Sequence, residues 1–189
     1  MKERNSRVFI IEGVQGSGKT TAAEHLSEMG YKSFRGIPPA QELVVNREAE
    51  NWRQSIDVLE LATNGSDGST SAMDRSIWSL VAYNIRKKPH HSSLIYELGK
   101  KIFERRMGKG ICCTIVFLEI DPEISFYREG GHCVHSPRSI EDVSEEVRAY
   151  QWLMENLERD GFNVIRIKNS DISKEEFLSL VEQTVNTIG

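Results

Sequence analysis

Short apolar runs rich in β-branched residues alternate along this chain with longer segments in which apolar residues recur every three or four positions. The short runs are typical of β-strands, and the longer periodic segments are typical of helices. A regular alternation of the two predicts a parallel sheet covered by helices. The predicted strands are Val8–Glu12, Tyr31–Phe34, Thr70–Met73, Cys112–Ile120 and Asn163–Ile167.

The helical segments lie between and after these strands. Ser173, followed three residues later by Glu176, forms a capping-box pattern that marks the start of the last helix. Five strands with helices on both faces predict an α/β fold of three layers, in a single domain that spans residues 1–189. The predicted helices are Thr20–Met29, Gln41–Thr63, Ser76–Lys87, Ser92–Met107, Pro122–Arg128, Ile140–Arg159 and a last helix after Ser173.

Size and charge narrow the class of protein. The chain has 189 residues and a net charge of −4, so its overall charge does not favour nucleic acid as a partner. Its three cysteines form no disulfide framework, and residues 1–7 lack the apolar centre of a signal peptide. No apolar run is long enough for a membrane helix. We therefore expect a cytoplasmic protein without a membrane partner.

The segment from Gly13 to Thr20 matches the phosphate-binding pattern G-x-x-x-x-G-K-[ST] at every required position. Glycines allow successive backbone N–H groups to turn toward an anion, and the positive end of the following helix adds to the same field. Lys19 is expected to reach the β- and γ-phosphates of ATP, and the Thr20 hydroxyl to bind Mg²⁺. The residues predicted to hold the nucleotide are Gly13, Gln15, Gly16, Ser17, Gly18, Lys19, Thr20 and Thr21.

A carboxylate and a guanidinium follow the third predicted strand, at Asp74 and Arg75. Because a strand ends here and a helix begins, we expect both groups to lie beside the phosphate loop. Asp74 is a candidate Mg²⁺ ligand together with Thr20, and Arg75 can bind phosphate oxygens through two hydrogen bonds, which lysine cannot do. Spacing alone leaves a purely structural salt bridge open as the alternative.

The sequence from Asp74 to Tyr83 resembles a signature of thymidylate kinases and related deoxynucleoside kinases, D-R-[YSH]-x-x-S-x-x-A-[YF]. The phosphate loop, preceded by Ile11-Glu12-Gly13, is similar to theirs as well. The resemblance implies a P-loop NTPase fold and phosphoryl transfer from ATP, with Mg²⁺, to a nucleotide-like acceptor. The residues that match the signature are Asp74, Arg75, Ser76, Ser79, Ala82 and Tyr83.

The resemblance also implies roles for individual residues. Arg128 and Arg138 fall where that family carries the arginines of a mobile lid. We expect this lid over residues 129–139. Arg148 falls on the helix after the lid, where the family often has an arginine on the acceptor side. Because phosphoryl transfer leaves little covalent work to the protein, positioning and charge stabilisation are expected to carry most of the rate. The residues to which catalysis is assigned are Lys19, Asp74, Arg75, Arg128 and Arg138.

Departures from the family's pattern bear on the acceptor. Gln15 stands where thymidylate kinases usually carry an aspartate, and residues 34–40 contain no carboxylate where deoxynucleoside kinases place a general base. A monophosphate acceptor needs cations rather than a base, and Arg35 and Arg75 supply them. We therefore predict a nucleoside monophosphate, with a modified pyrimidine deoxynucleotide as the specific guess. Its predicted contacts are Arg35, Arg75, Trp78 and Arg148.

Aromatic stacking on the acceptor base is a further possibility for Trp78, as it is for Trp52 and Phe34. Burial in the core is the alternative for all three.

Two other functions stay open at this point. A kinase for a nucleoside, another metabolite, or a base or end in DNA would use the basic run between Ile85 and Lys109 as its footprint. An NTP-driven switch would transfer to water, and Glu119 or Asp121 would then replace Asp74 as the metal-binding carboxylate. The chain is also compatible with a homodimer.

Metal-ligand residue types occur close together at His132, Cys133 and His135. No second cluster at zinc-finger spacing accompanies them, so we expect a lid loop here rather than a zinc site.

Overall fold

Residues 7–36, 48–64, 70–107, 111–129 and 139–188 are described by the computed structural model. All five predicted strands are present, and each boundary lies within one residue of its predicted position. The strands are β1 (Arg7–Glu12), β2 (Lys32–Arg35), β3 (Thr70–Asp74), β4 (Cys112–Glu119) and β5 (Val164–Lys168). They pair in parallel in the order β2-β3-β1-β4-β5.

The described residues form seven α-helices, and a short 3₁₀ turn at Pro89–His91 separates the third from the fourth. The capping box predicted at Ser173 is confirmed, since its N–H donates to Glu176 Oε2 at 2.9 Å and its Oγ accepts from the Glu176 N–H at 3.2 Å. The helices are α1 (Lys19–Glu28), α2 (Glu48–Asn64), α3 (Ile77–Lys87), α4 (Ser92–Arg106), α5 (Pro122–Arg128), α6 (Ile140–Arg159) and α7 (Lys174–Ile188).

Some predictions fall on residues outside the described ranges. The helix predicted from Gln41 is described only from Glu48 onward, and most of the predicted lid lies in residues 130–138. The single-domain organisation of residues 1–189 stays a prediction. Among the described helices, none is long and apolar enough to cross a membrane.

The two faces of the sheet bury separate parts of the core, which explains the three layers. Successive side chains of a strand point to opposite faces. Accordingly Val8 and Ile10 of β1 pack into a cluster with residues of α2, α3, α4 and α6, whereas Phe9 and Ile11 pack into a cluster with residues of α1 and α7. The predicted arrangement of helices on both faces is therefore confirmed.

Polar residues gather where three neighbouring strands end. Glu12, Arg35 and Asp74 are the last residues of β1, β2 and β3, and the strand register places Asp74 beside both Ile11 and Arg35. Because the strands are parallel, their carboxyl ends share one edge of the sheet. Ligands of open α/β sheets bind at this edge.

Candidate active site

The phosphate loop connects β1 to α1 and packs closely against two other segments. Gly16 (φ 76°) and Gly18 (φ 92°) adopt left-handed conformations that suit glycine. A Cβ atom added to Gly16 would lie 2.9 Å from the Ser125 carbonyl oxygen, and one added to Gly18 would lie 2.8 Å from Asn169 Nδ2. Side chains at these two positions would therefore force the loop away from its supports.

Two side chains that the sequence analysis missed hold the loop in place. Ser125 Oγ, on α5, donates to the Gln15 carbonyl at 2.7 Å, and Asn169 Nδ2, just after β5, donates to the Ser17 carbonyl at 2.7 Å. These partners are 110 and 152 residues apart along the chain. No local pattern around Ser125 or Asn169 signals the contacts.

Lys19 is buried against the loop that it is predicted to serve. Its Nζ donates to the Val14 carbonyl at 2.5 Å and to Ser17 Oγ at 3.3 Å. Burial, and secondarily the nearby positive charge of Arg75, lower the pKa of Lys19 to about 7. An anion bound in the loop would favour the protonated form of this amine.

Thr20 and Asp74, which are predicted to share a metal ion, lie in contact at the carboxyl edge of the sheet. The Thr20 hydroxyl donates to Asp74 Oδ2 at 2.9 Å, and the buried Asp74 Oδ1 has no hydrogen-bond partner among the described residues. A buried carboxylate oxygen without a donor is costly, whereas a hydroxyl and a carboxylate are ligands that suit Mg²⁺. The pair fits a magnesium ion.

Arg75 has a backbone conformation that is unusual for a side chain of its size, with φ at 67°. Its N–H donates to the Ile11 carbonyl at 3.1 Å, which ties the residue to β1. Burial works against the charge on Arg75, but Tyr150, Glu146, Asp74 and Glu12 outweigh it and raise the pKa of the guanidinium. Arg75 is thus a fixed, fully charged cation next to Asp74.

Arg35 and Arg128 lie on two sides of this site. Arg35 ends β2, is exposed, and stands in register with Asp74 of the adjacent strand. Arg128 ends α5, and its Cβ lies 3.5 Å from the position of a Cβ added to Gly16. Both arginines are therefore placed at the carboxyl edge, whereas Arg138 lies outside the described residues.

The structure does not place Trp78 at this edge. Its side chain has no exposed surface and packs against the rings of Tyr96, Phe103 and Phe162 at 6.2, 5.2 and 5.8 Å between centroids. Trp78 is a core residue, because its ring faces are covered by other aromatic rings, and we correct its assignment as an acceptor contact. Phe34 and Trp52 are half-buried against the same core.

Arg148 is exposed on α6 and donates to Glu141 Oε1 at 2.8 Å. An exposed ion pair of this kind is weak, so it would not prevent Arg148 from engaging an acceptor. Its predicted role in binding stays a prediction.

The basic run between Ile85 and Lys109 is partly neutralised. Lys100 Nζ donates to Asp160 Oδ2 at 2.7 Å, and Arg106 pairs with Glu60. Arg86 and Lys87 of this run lie over the ring of Tyr83, at 5.7 and 4.4 Å from its centroid.

Glu119, one of the two carboxylates that a switch would use, is engaged elsewhere. Glu119 accepts from Arg166 Nη1 at 2.9 Å, whereas Asp74 contacts the Thr20 hydroxyl directly. The geometry therefore favours Asp74 over Glu119 as the metal-binding carboxylate.

Sequence comparisons find relatives among nucleotide-binding proteins and kinases. The chain is 28% identical over 151 residues to a nucleotide-binding protein of Lactobacillus gasseri, which covers 77% of this chain and 43% of that protein. It is 24% identical over 204 residues to a probable thymidylate kinase of Archaeoglobus fulgidus, which covers 95% of this chain and 96% of that one. The chain spans less than half the length of the Lactobacillus relative. No family profile matches it.

Solved structures of nucleotide and nucleoside kinases share the fold. A deoxyadenosine kinase from M. mycoides with bound dCTP superposes with a TM-score of 0.65 at 14% identity, over 95% of this chain and 99% of that one. Thymidylate kinase from Candida albicans superposes with a TM-score of 0.66 at 16% identity, over 97% and 92%. The predicted resemblance to thymidylate and deoxynucleoside kinases is confirmed, and the chain has the fold of P-loop nucleotide kinases.

Proposed function

We propose that this chain is a P-loop kinase that transfers the γ-phosphoryl group of ATP to a nucleoside monophosphate. The observation that carries the proposal is the meeting of Thr20 and Asp74 at 2.9 Å, with Arg75 next in sequence and Arg35 in register across the sheet. The proposed metal site and two arginines thus share one edge of the sheet with the phosphate loop. The fold neighbours include kinases for nucleosides and for thymidylate, which supports a nucleotide-like acceptor.

Within this proposal, the described side chains bind and orient the two substrates. The loop amides and Lys19 would hold the donor phosphates, and Arg128 lies beside Gly16 where it can reach the same group. Thr20 and Asp74 would hold Mg²⁺, which supplies charge neutralisation between the donor phosphates when it is bound. Arg75 and Arg35 would hold the acceptor phosphate. Because this phosphate is already anionic, it needs no general base, unlike a neutral hydroxyl acceptor.

The acceptor that we propose is a pyrimidine deoxynucleotide, including forms with a modified base. Two features support it: the signature from Asp74 to Tyr83 and the similarity to a probable thymidylate kinase. Gln15 distinguishes this chain from thymidylate kinases, which usually carry an aspartate there, and this favours a modified base over thymine.

A second candidate is a kinase whose acceptor is a nucleotide within DNA. The observation that favours it is the pair of cations over the half-exposed ring of Tyr83, since a ring flanked by cations suits a phosphate backbone with a stacked base. The pairing of Lys100 and Arg106 with carboxylates neutralises two cations of the basic footprint. The monophosphate proposal therefore comes first.

The decisive experiment is an ATP-consumption screen with Mg²⁺ against nucleoside monophosphates, nucleosides and a short DNA duplex, each with natural and modified pyrimidines. The control variant is Lys19→Met, which removes the cation and keeps the length of the side chain. We expect turnover with a monophosphate and a loss of at least about 100-fold in the variant, the size typical of losing a group that stabilises transition-state charge.

Other outcomes have distinct meanings. Turnover with DNA alone would replace the proposal by the second candidate and would predict a steep dependence of binding on salt. ATP hydrolysis at full rate without any acceptor would contradict both kinase proposals. Turnover retained by Lys19→Met would contradict the assignment of the phosphate loop.

A further inference from the structure

A buried carboxylate lies directly behind the candidate active site. Glu12, the last residue of β1, has no exposed surface. Its Oε1 accepts from the N–H and the hydroxyl of Ser76, both at 2.7 Å, and its Oε2 accepts from the Ser79 hydroxyl at 2.5 Å. Burial raises the pKa of Glu12, and these three donors together with the charge of Arg75 oppose that shift.

The network around Glu12 joins three elements of the fold. Tyr150, in the middle of α6, donates its hydroxyl to Ser79 Oγ at 2.9 Å, and its ring stacks on Phe117 of β4 at 5.9 Å between centroids. Glu12 thereby connects the strand that enters the phosphate loop to the first turn of α3, and through Ser79 to α6. An apolar side chain would fill the same space without needing three polar partners, so packing alone does not explain a carboxylate here.

The network holds the residue that we assign to the acceptor. Arg75 immediately precedes Ser76, and its left-handed backbone conformation persists only if its surroundings impose it. The Ile11 carbonyl binds the N–H of Arg75 at 3.1 Å, and Glu12 binds the N–H of the next residue at 2.7 Å. Two consecutive residues of β1 therefore clamp the backbone on both sides of Arg75.

Charge acts on the same residue. Tyr150, Glu146, Asp74 and Glu12, in decreasing order of effect, favour the charged form of Arg75. Asp74 is assigned to the metal, so Glu12 and Glu146 are the carboxylates left to balance the guanidinium in the described part of the site.

We propose that Glu12 is a positioning residue that fixes the backbone and the guanidinium of Arg75 for the acceptor phosphate. This inference rests on the proposed function. Glu12 lies behind Arg75 and touches neither substrate, so its contribution passes through Arg75. Glu12 also favours the charged form of Lys19, but as the smallest of the influences on that amine, so a change at Glu12 alters use of the acceptor more than binding of ATP to the phosphate loop.

The test compares Glu12→Gln with Glu24→Gln, an exposed position on α1, in steady-state kinetics with donor and acceptor varied in turn. Glutamine keeps the size of the side chain and removes its charge. We expect Glu12→Gln to lower kcat/KM for the acceptor by about tenfold or more, the scale of a charge-assisted hydrogen bond, with the KM for ATP within about twofold of wild type. A merely structural role would change both constants together.

A double variant identifies the route of the effect. If Glu12 acts through Arg75, then Glu12→Gln added to Arg75→Ala costs no further activity, because the group being positioned is already gone. Additive losses would overturn the inference, as would wild-type kinetics in Glu12→Gln or an equal loss for both substrates.

Ser79→Ala carries the same test if Glu12→Gln does not fold. It removes one donor to Glu12 and the link to Tyr150, and it keeps both charges. We expect a higher acceptor KM, an unchanged KM for ATP and no further loss in the Arg75→Ala background; the opposite results overturn the inference. Wild-type protein without acceptor-dependent turnover would overturn the proposed function and this inference together, whereas active wild type with an unaffected network variant overturns this inference alone.

Discussion

Arg35 ends an edge strand and is exposed, yet the strand register sets it beside Asp74. Its position next to the proposed metal site suits the phosphate of an acceptor. The same register could not be derived from the residues around Arg35, since it depends on which strand lies next to β2.

Arg35→Ala is predicted to raise the acceptor KM by roughly tenfold or more, because a charge-assisted hydrogen bond to phosphate contributes about 1.5–3 kcal/mol. The KM for ATP should stay the same. Steady-state kinetics with each substrate varied in turn measures both constants. Arg105→Ala is the matched control, since Arg105 is exposed near the end of α4 that leads into the opposite edge of the sheet. An unchanged acceptor KM would remove Arg35 from the site.

Two residues of the same signature stretch lie in different surroundings in this fold. Trp78 and Arg75 stand three positions apart in the signature stretch, and one lies in the core while the other lies at the candidate site. From the sequence, Trp78 is either a stacking partner or a core residue, because an aromatic residue at a helix start fits both roles. The positions of Tyr96, Phe103 and Phe162 decide between them, and these residues come from later parts of the chain.

At the scale of elements, α3 and α4 approach each other closely at Gly99. A Cβ added there would overlap Val81 Cγ2 and would lie 3.4 Å from Trp78 Cζ3. Glycine is otherwise unfavourable inside a helix by about 1 kcal/mol relative to alanine. Its presence is explained by the space that α3 occupies.

Gly99→Ala is predicted to destabilise the protein despite the better helix propensity of alanine. Overpacking costs about 1–3 kcal/mol, which outweighs the gain of about 1 kcal/mol. Denaturant unfolding measures the free energy. In the double variant with Val81→Ala, the smaller side chain at position 81 makes room for the added methyl group. The double variant should therefore lose less unfolding free energy than the two single variants together. Strict additivity would mean that Gly99 and Val81 do not constrain each other.

A polar contact links α4 to the end of α6. Asp160 Oδ2 accepts from the Tyr96 hydroxyl at 2.9 Å and from Lys100 Nζ at 2.7 Å. Hydrogen bonds from Lys100 and then from Tyr96 lower the pKa of Asp160 below its ordinary value of 3.8. The pKa of Asp160 is lower in the folded state than in the unfolded state. The contact therefore stabilises the protein at pH values above the ordinary pKa, and this stabilisation is lost as the pH falls through the lowered pKa of the folded state.

Asp160→Asn is therefore predicted to lower the free energy of unfolding at pH 7, and the difference from wild type should shrink as the pH falls below about 4. Urea unfolding at several pH values measures it. Glu155→Gln, an exposed position on the same helix, should show no such dependence. An equal deficit at pH 3 and pH 7 would contradict the assignment of the effect to ionisation.

At the scale of the whole molecule, the phosphate loop depends on distant parts of the chain. Its carbonyl groups accept hydrogen bonds from Ser125 of α5 and from Asn169 after β5, and Thr20 donates to Asp74 at the end of β3. A ligand bound to the loop is therefore coupled to residues from three separate crossovers of the sheet. Binding should stabilise the folded protein as a unit.

MgATP at about 100 times its dissociation constant is predicted to add about 2.7 kcal/mol, which corresponds to a rise in Tm of roughly 5–10 °C for a chain of this size. Removal of Mg²⁺ with EDTA should reduce the rise in wild type and have little effect on Asp74→Asn. Thermal unfolding with and without the ligand measures both. Lys19→Met should lose most of the rise, and Lys174→Met, an exposed lysine on α7, should keep it.

The sequence by itself determined the order of strands and helices and the identity of the phosphate loop. Strand and helix periodicity is a local property, and the loop's residues are contiguous, so Gly13 to Thr20 and the bounds of β1 to β5 could be predicted without knowledge of packing. Asp74 and Arg75 were found for the same reason, since they form part of a contiguous signature.

Only the tertiary structure decided what surrounds these residues. The supports of the loop, the burial of Trp78 and the network from Glu12 to Tyr150 join residues from separate crossovers, and the sheet order β2-β3-β1-β4-β5 brings them together. Sequence patterns report the spacing of neighbours along the chain, whereas these contacts depend on which elements pack against each other. The physical reason is that a buried polar group is stable only beside its partners, and the fold alone determines where those partners lie.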